Sequence, residues 1–153
     1  MTDINGQIYE RLVRLIPDLR ELQPGDARMS KSNGFMALHL DVLSRVDKLV
    51  QPNQSRIAGE LRIALHHSYE QNGDLVPDPD MEIRVFLLQD WNKAEALTYQ
   101  DAFTYREVYP EPGKVDIRAK KEMNSFLAQW LKNCIDQGHS LRKEAVAPLQ
   151  EVA

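Results

Sequence analysis

The sequence predicts an α+β fold, an antiparallel sheet of four to five strands with an N-terminal and a C-terminal helix packed on its apolar face. Three observations carry this expectation. Apolar residues near the start and near the end recur every three or four positions. Three segments between them alternate apolar and polar residues at every step. The breaks between these segments hold the Gly, Pro, Asn and Asp residues that turns require.

In the first helix Ile8, Leu12, Leu15, Leu19 and Leu22 share one stripe, and Thr2 or Asp3 can cap its start. Pro17 would remove a backbone donor from a continuous helix. The helix is therefore expected to end near Ile16, with a short second turn starting at Pro17. "QPGD" at 23–26 breaks the chain, and residues 26–33 read as a loop.

The period then changes to two. "FMALHLDV", "GELRIALHH" and "MEIRVFLL" point Met36, Leu38, Leu40, Val42, Leu61, Ile63, Leu65, Met81, Ile83, Val85 and Leu87 to one face. Two further strands are expected at 94–99 and 103–109, with "QDWN" at 89–92 as a hairpin turn. "EQNGDLVPDPD" at 70–80, with two prolines and an Asn-Gly pair, reads as a long polar loop. "YPEPG" ends the sheet.

The last helix is expected from Asp116 to Gln137. Met123, Phe126, Leu127, Trp130, Leu131, Cys134 and Ile135 lie on one broad face, and Gly138 stands at the stop. Residues 139–153 read as a charged tail, and the chain as a single domain, 1–153. Trp130 and Cys134 share the apolar stripe, where a cysteine behaves as a small buried hydrophobe rather than a redox or metal group. His139 falls beyond the helix end and off that stripe.

Composition narrows the function classes. Hydrophobic residues make up 42% and charged residues 27% of the 153 positions, as in an ordinary globular chain. A net charge of −4 disfavours a general nucleic-acid binder. One cysteine allows no internal disulfide. "MTDINGQIYERL" lacks the basic start and apolar run of a secretory signal, and no stretch is long and apolar enough to span a bilayer. The expectation is a cytoplasmic protein without membrane or nucleic-acid partners.

No phosphate loop, nucleophile elbow, zinc-protease motif or paired-cysteine spacing is present. No catalytic residue, metal or cofactor is expected. "DPD" at 78–80 reads as a proline-bracketed acidic turn, since the remaining spacing of a calcium loop is missing. His66 and His67 point to opposite faces of one strand and cannot readily share a metal.

The polar face of the sheet is the candidate contact surface. By phase it carries His39, Asp41, Glu60, Arg62, His66, Glu82 and Arg84. Arg62 and Arg84 could grip an anionic ligand. A solvated face with cross-strand ion pairs is the plainer account of the same pattern. Phe86 and Leu88 fall on this face too and need a cover, for which a second copy in a homodimer is one candidate. Trp91, at the turn, suits an interface anchor or a contact within its own domain.

"YPEPGK" and "KKEMNSFLAQWLKNC" resemble the C-terminal signature of the YqiB-like gammaproteobacterial family, a domain of unknown function. Tyr109, Pro110, Asn124, Phe126, Leu127, Trp130, Leu131 and Cys134 match it. "YERLVRLIP" is similar to that family's N-terminal segment. Where family members carry an Asp-Glu pair before the matched Lys120, this chain has Arg118 and Ala119. The resemblance implies no activity that transfers to a residue. Gene neighbourhood in that family leans towards nucleotide housekeeping.

The function expected from the residues is that of a small non-enzymatic binding or adaptor protein. It would meet a protein or a small anionic ligand through His39, Arg62, His66, Arg84, Phe86 and Trp91, or through the 70–80 segment. The alternative is an enzyme of nucleotide or phosphate-ester metabolism that uses the same polar face.

Overall fold

The computed structural model describes residues 3–50, 57–71, 73–88 and 90–143. Helix α1 (Ile4–Leu15) is followed by a single 3-10 turn (Leu19–Glu21). Six strands come next: β1 (Ala27–Ser30), β2 (Ala37–Val50), β3 (Ile57–Gln71), β4 (Asp74–Phe86), β5 (Ala94–Gln100) and β6 (Tyr105–Glu107). Helix α2 (Ile117–Asp136) completes the order. The strands form one sheet in sequence order, every neighbouring pair antiparallel. None of the described helices is long and apolar enough to cross a membrane.

The helix starts follow from side-chain capping. The Asp3 carboxylate accepts from the Gly6 N–H at 2.8 Å, and the Asp116 carboxylate from the Ala119 N–H at 2.9 Å. Pro17 ends α1 after Ile16, and Gly138 follows α2 with φ +91°. Leu38, Leu40, Leu61, Ile63, Leu65, Met81, Ile83 and Val85 are buried in one cluster with Ile8, Leu12 and Leu15 of α1 and Leu127, Trp130 and Leu131 of α2. The two helices pack against each other and against β5. Each fully buried Leu or Ile here contributes about 1.5–3 kcal/mol.

Six strands stand where the alternation shows four to five. The additional one is β1, inside the stretch read as a loop at 26–33. It pairs Ala27 with Asp41 and Ser30 with Leu38, but only Ser30 is buried in it, so it has no apolar period to read. The 70–80 stretch is likewise not a long loop. β3 and β4 pair up to Gln71 and Asp74, and Gly73, with φ 86°, lies in the turn between them. Pro77 and Pro79 are tolerated because β5 begins to pair only at Asp80, leaving that part of β4 on a free edge.

The alternation in β2 stops at Val42 because a bulge follows. Val42 pairs Ile63 and Ser44 pairs Arg62, which leaves Leu43 as the extra residue, half exposed. The bulge turns Arg45 towards the core side, where it donates to the Arg20 and Leu22 carbonyls. A second irregularity follows between Val46 and Leu49, opposite Gly59.

Two further corrections concern the C-terminal part. Phe126 is 41% exposed, with its ring 5.3 Å from Tyr99, and so lies at the margin of the core stripe. The residues after α2 begin as a packed strap rather than as a tail. His139 and Leu141 are buried, and the Leu141 N–H donates to the Leu15 carbonyl at 2.8 Å. Residues 144–153 of the expected tail lie outside the described residues.

Gly59 lies so close to β2 that a β-carbon there would overlap the backbone oxygens of Val46 and Asp47. Gly59→Ala is therefore expected to destabilise the fold by about 2–4 kcal/mol, since backbone rather than a side-chain tip must move. Urea unfolding of the variant beside wild type measures this, and an unchanged midpoint would contradict the close approach.

Candidate functional site

Cross-strand register builds the centre of the polar face. Arg62 of β3 stands opposite Arg84 of β4, and Arg84 stands opposite Glu95 of β5. Two guanidinium groups side by side repel, and the carboxylates resolve this. Glu60 takes Arg62 Nε at 2.8 Å through one oxygen and faces Arg84 Nε at 3.3 Å through the other. The second contact has ion-pair length without hydrogen-bond alignment, leaving Arg84 Nε without a hydrogen-bond acceptor.

Arg84 also donates from NH1 to Glu95 at 3.0 Å, and the Tyr109 hydroxyl donates to the other Glu95 oxygen at 2.7 Å. Glu95 is only 5% exposed, so both its oxygens are held by partners rather than by water. Burial, and then the Glu95 carboxylate, push the Tyr109 phenol up to about 12. The Arg84 guanidinium lies 5.4 Å from the Tyr109 ring centre and 5.9 Å from that of Phe86, within cation–π range of both.

Phe86 receives its cover from its own connection. The Trp91 ring lies 4.9 Å from it, tilted by 40°, and remains 41% exposed. Trp91 is presented by a tight turn in which Asp90 takes a left-handed φ of 63°. Arg20 fastens the same corner, donating to the Leu88 carbonyl at 2.8 Å and to the Tyr9 hydroxyl at 3.1 Å. Arg62, Arg84, Phe86 and Trp91 thus form one connected region.

His39 and His66 form another. Their rings stack 4.7 Å apart, 4° from parallel. Ser68 Oγ lies 3.0 Å from His39 Nε2, and Asp41 lies 3.6 Å from His66 Nε2. Burial, and then the neighbouring His66, lower the His39 pKa, while burial raises that of Asp80, which pairs across from His66. His66 lies four steps along β3 from Arg62, about 13 Å at the rise of a strand. Among the described residues no group of three or more His, Cys, Asp or Glu is placed to hold a metal ion.

Three hollows border Tyr109. One of about 630 Å³ runs from Arg84 along Pro110–Val115. One of about 410 Å³ is lined by Asp3, Asn5, Phe86, Trp91, Lys93, Glu95, Tyr109 and Lys120, and one of about 210 Å³ lies between Arg62, Arg84, Tyr105 and Glu107. A wider hollow of about 900 Å³ lies elsewhere, around Asp18, Glu21, Asp26, Arg28 and Arg142. There Arg28 and Asp18 are spent on each other in a bidentate pair at 2.6 and 2.7 Å.

Glu95, Tyr109, Lys93 and Lys120 were not expected at the contact surface, and Tyr109 and Lys120 were named only as positions of the family resemblance. For Glu95 the available signal was a glutamate between two alanines in "AEAL", an acid placed where a strand is otherwise buried.

The opposite face holds a second polar cluster. His67 is 6% exposed, with the Trp130 indole N–H 3.4 Å from its Nδ1 and Cys134 Sγ 3.7 Å from its Nε2. The indole nitrogen can only donate, so Nδ1 must accept and Nε2 carries the proton. A doubly protonated ring would set two N–H groups against each other. Burial, followed by the charges of His139, His66 and His39, lowers the His67 pKa to about 4, and burial raises the Cys134 thiol to about 12. His139 meets Ser30 Oγ at 2.9 Å, and its ring centre lies 5.7 Å from that of His67. His139 is thereby part of the core.

The fold and the polar face together define a small α+β protein with an antiparallel meander and an ion-paired, aromatic-edged surface. The chain belongs to the family described as a domain of unknown function, DUF6908, whose profile matches residues 7–140. This match does not confirm the YqiB-like resemblance. No curated protein and no solved structure was found to match the chain.

Two outcomes follow from these clusters. Arg84→Met strips Glu95 of its charged partner and is expected to cost about 3 kcal/mol in urea unfolding. The Arg84→Met/Glu95→Gln pair should cost less than the two single changes added together. His67 binds a proton near 6.5 when unfolded but only near 4 when folded, so the unfolded chain binds more protons between those values. Stability is complete above about pH 6.5 and should fall by about 3 kcal/mol as the pH drops towards 4. His139 and His39, also shifted down, add to the same slope, and His67→Gln should flatten it.

Proposed function

We propose that this protein is a non-catalytic binding protein, and that its contact region is the corner formed by Phe86 and Trp91 beside the Arg84–Glu95–Tyr109 cluster. One observation carries the reading: the Arg84 charge is taken up internally, between Glu60 and Glu95, while the indole beside it stays open. An arginine held by two carboxylates is a rigid support and a weak grip for a substrate phosphate. Trp91 is the kind of exposed, rigid aromatic group that anchors interfaces and ligands.

An enzyme of nucleotide or phosphate-ester metabolism would draw His39, His66, Arg62 and Arg84 into one pocket. The two histidines engage Asp41 and Ser68 further along the sheet, which favours the binding reading. Kinship with the YqiB-like family belongs to this proposal as well. It is supported by the Tyr109-Pro110 pair and the Phe126 to Cys134 spacing, and adds no activity.

A screen of nucleotides and phosphate esters against the purified protein is expected to give no turnover. Turnover that disappears in Arg84→Ala would overturn the reading.

A further inference from the structure

We propose that the hollow of about 410 Å³ between the start of α1, the β4–β5 connection and the first turn of α2 binds a planar aromatic anion. Its ring would lie against Trp91 and Phe86, and its acid group against Lys120 and Lys93. This rests on the binding reading above and names its ligand. The volume lies at the small end of the range for pockets that take small molecules. Two classes of group line it, and each asks for one half of the ligand.

The aromatic half comes from the Phe86–Trp91 pair, both of which line the hollow, with the indole 41% exposed to meet a further ring. The cationic half comes from two lysines. Lys120 stands in the first turn of α2 and makes no ion pair among the described residues. Lys93 spends one donor on Asp3 at 2.6 Å, and an ammonium group has three.

The acids that border the hollow are already engaged. Glu95 is held by Arg84 and Tyr109, and Asp3 by Lys93 and the Gly6 N–H. An entering anion therefore meets Lys120, which has no ion-pair partner among the described residues, and the remaining donors of Lys93. Asp3 is its competitor, a carboxylate of the chain that holds part of the site in the free protein.

Isothermal titration with adenosine 5′-monophosphate, indole-3-acetate, adenosine and inorganic phosphate tests this. The two aromatic anions are expected to bind at least about ten-fold more tightly than neutral adenosine or bare phosphate, the value of one charge-assisted contact. Lys120→Gln should weaken them about ten-fold, and Trp91→Ala should weaken them at least as much. Asp3→Asn keeps a capping side chain while releasing Lys93, and should tighten the aromatic anions a few-fold. A difference between nucleotide and indole acid would tell a phosphate source from a carboxylate source within the same chemistry.

Absence of binding by both aromatic anions, equal binding of adenosine, or indifference to Lys120→Gln and Trp91→Ala would overturn the ligand assignment. A protein complex that depends on Trp91, found without anion binding, overturns it too while leaving the binding reading in place. Turnover of a substrate is the outcome that removes the reading itself.

Discussion

Burial of one face of a twisted antiparallel sheet is the constraint from which the remaining features follow. Leu38, Leu40, Leu61, Ile63, Leu65, Met81, Ile83 and Val85 are fully shielded from solvent and share one buried cluster with Ile8 and Leu12 of α1 and Leu127 and Leu131 of α2. Side chains alternate strictly along a strand, so this burial also decides what the other face displays. With Leu61 and Ile63 inside, Glu60 and Arg62 are outside. With Ile83 and Val85 inside, Arg84 and Phe86 are outside. A slip of one residue would exchange the core for the ion pairs.

The polar face gains its order from the same register. Arg62, Arg84 and Glu95 stand on three successive strands at one level of the sheet. Glu60 bridges the two guanidinium groups, and Tyr109 closes the cluster after β6. An ion pair of this kind costs desolvation as well as returning attraction, so its main effect is to fix geometry rather than to add stability. The fixed geometry sets Arg84 against the Phe86 ring, while Arg20 fastens the same corner.

The long periodic elements were legible in the sequence, and the shorter or phase-shifted ones were not. α1, α2 and the central runs of β2, β3 and β4 each repeat one period often enough to be read. β1 buries only Ser30, and the β2 bulge at Leu43 resets the alternation, so both are silent at the level of pattern. The prolines of residues 70–80 suggested a loop because an edge position cannot be told from a central one before strand order is known. In the candidate site, Arg62, Arg84 and Phe86 were reached by phase, and Trp91 by its place in the turn at 89–92. Glu95 and Tyr109 complete that site through register and a turn after the sheet, neither of which a single period encodes. His67 and His139 were missed as partners because the contact joins residues far apart in the chain.

The strap after α2 has one further effect. It runs beside β1, at the outer margin of the sheet. The Ser140 N–H and the His139 ring meet the Ser30 hydroxyl, while Arg28 donates to the Leu141 carbonyl at 3.0 Å. An outermost strand with idle donors and acceptors invites pairing with another molecule and growth into aggregates. Here the chain returns to occupy part of that margin itself, and the opposite margin, β6, is only three residues long. The outermost strands β1 and β6 thus offer only four and three residues for pairing, and the free part of β4 carries Pro77 and Pro79, which have no N–H to donate.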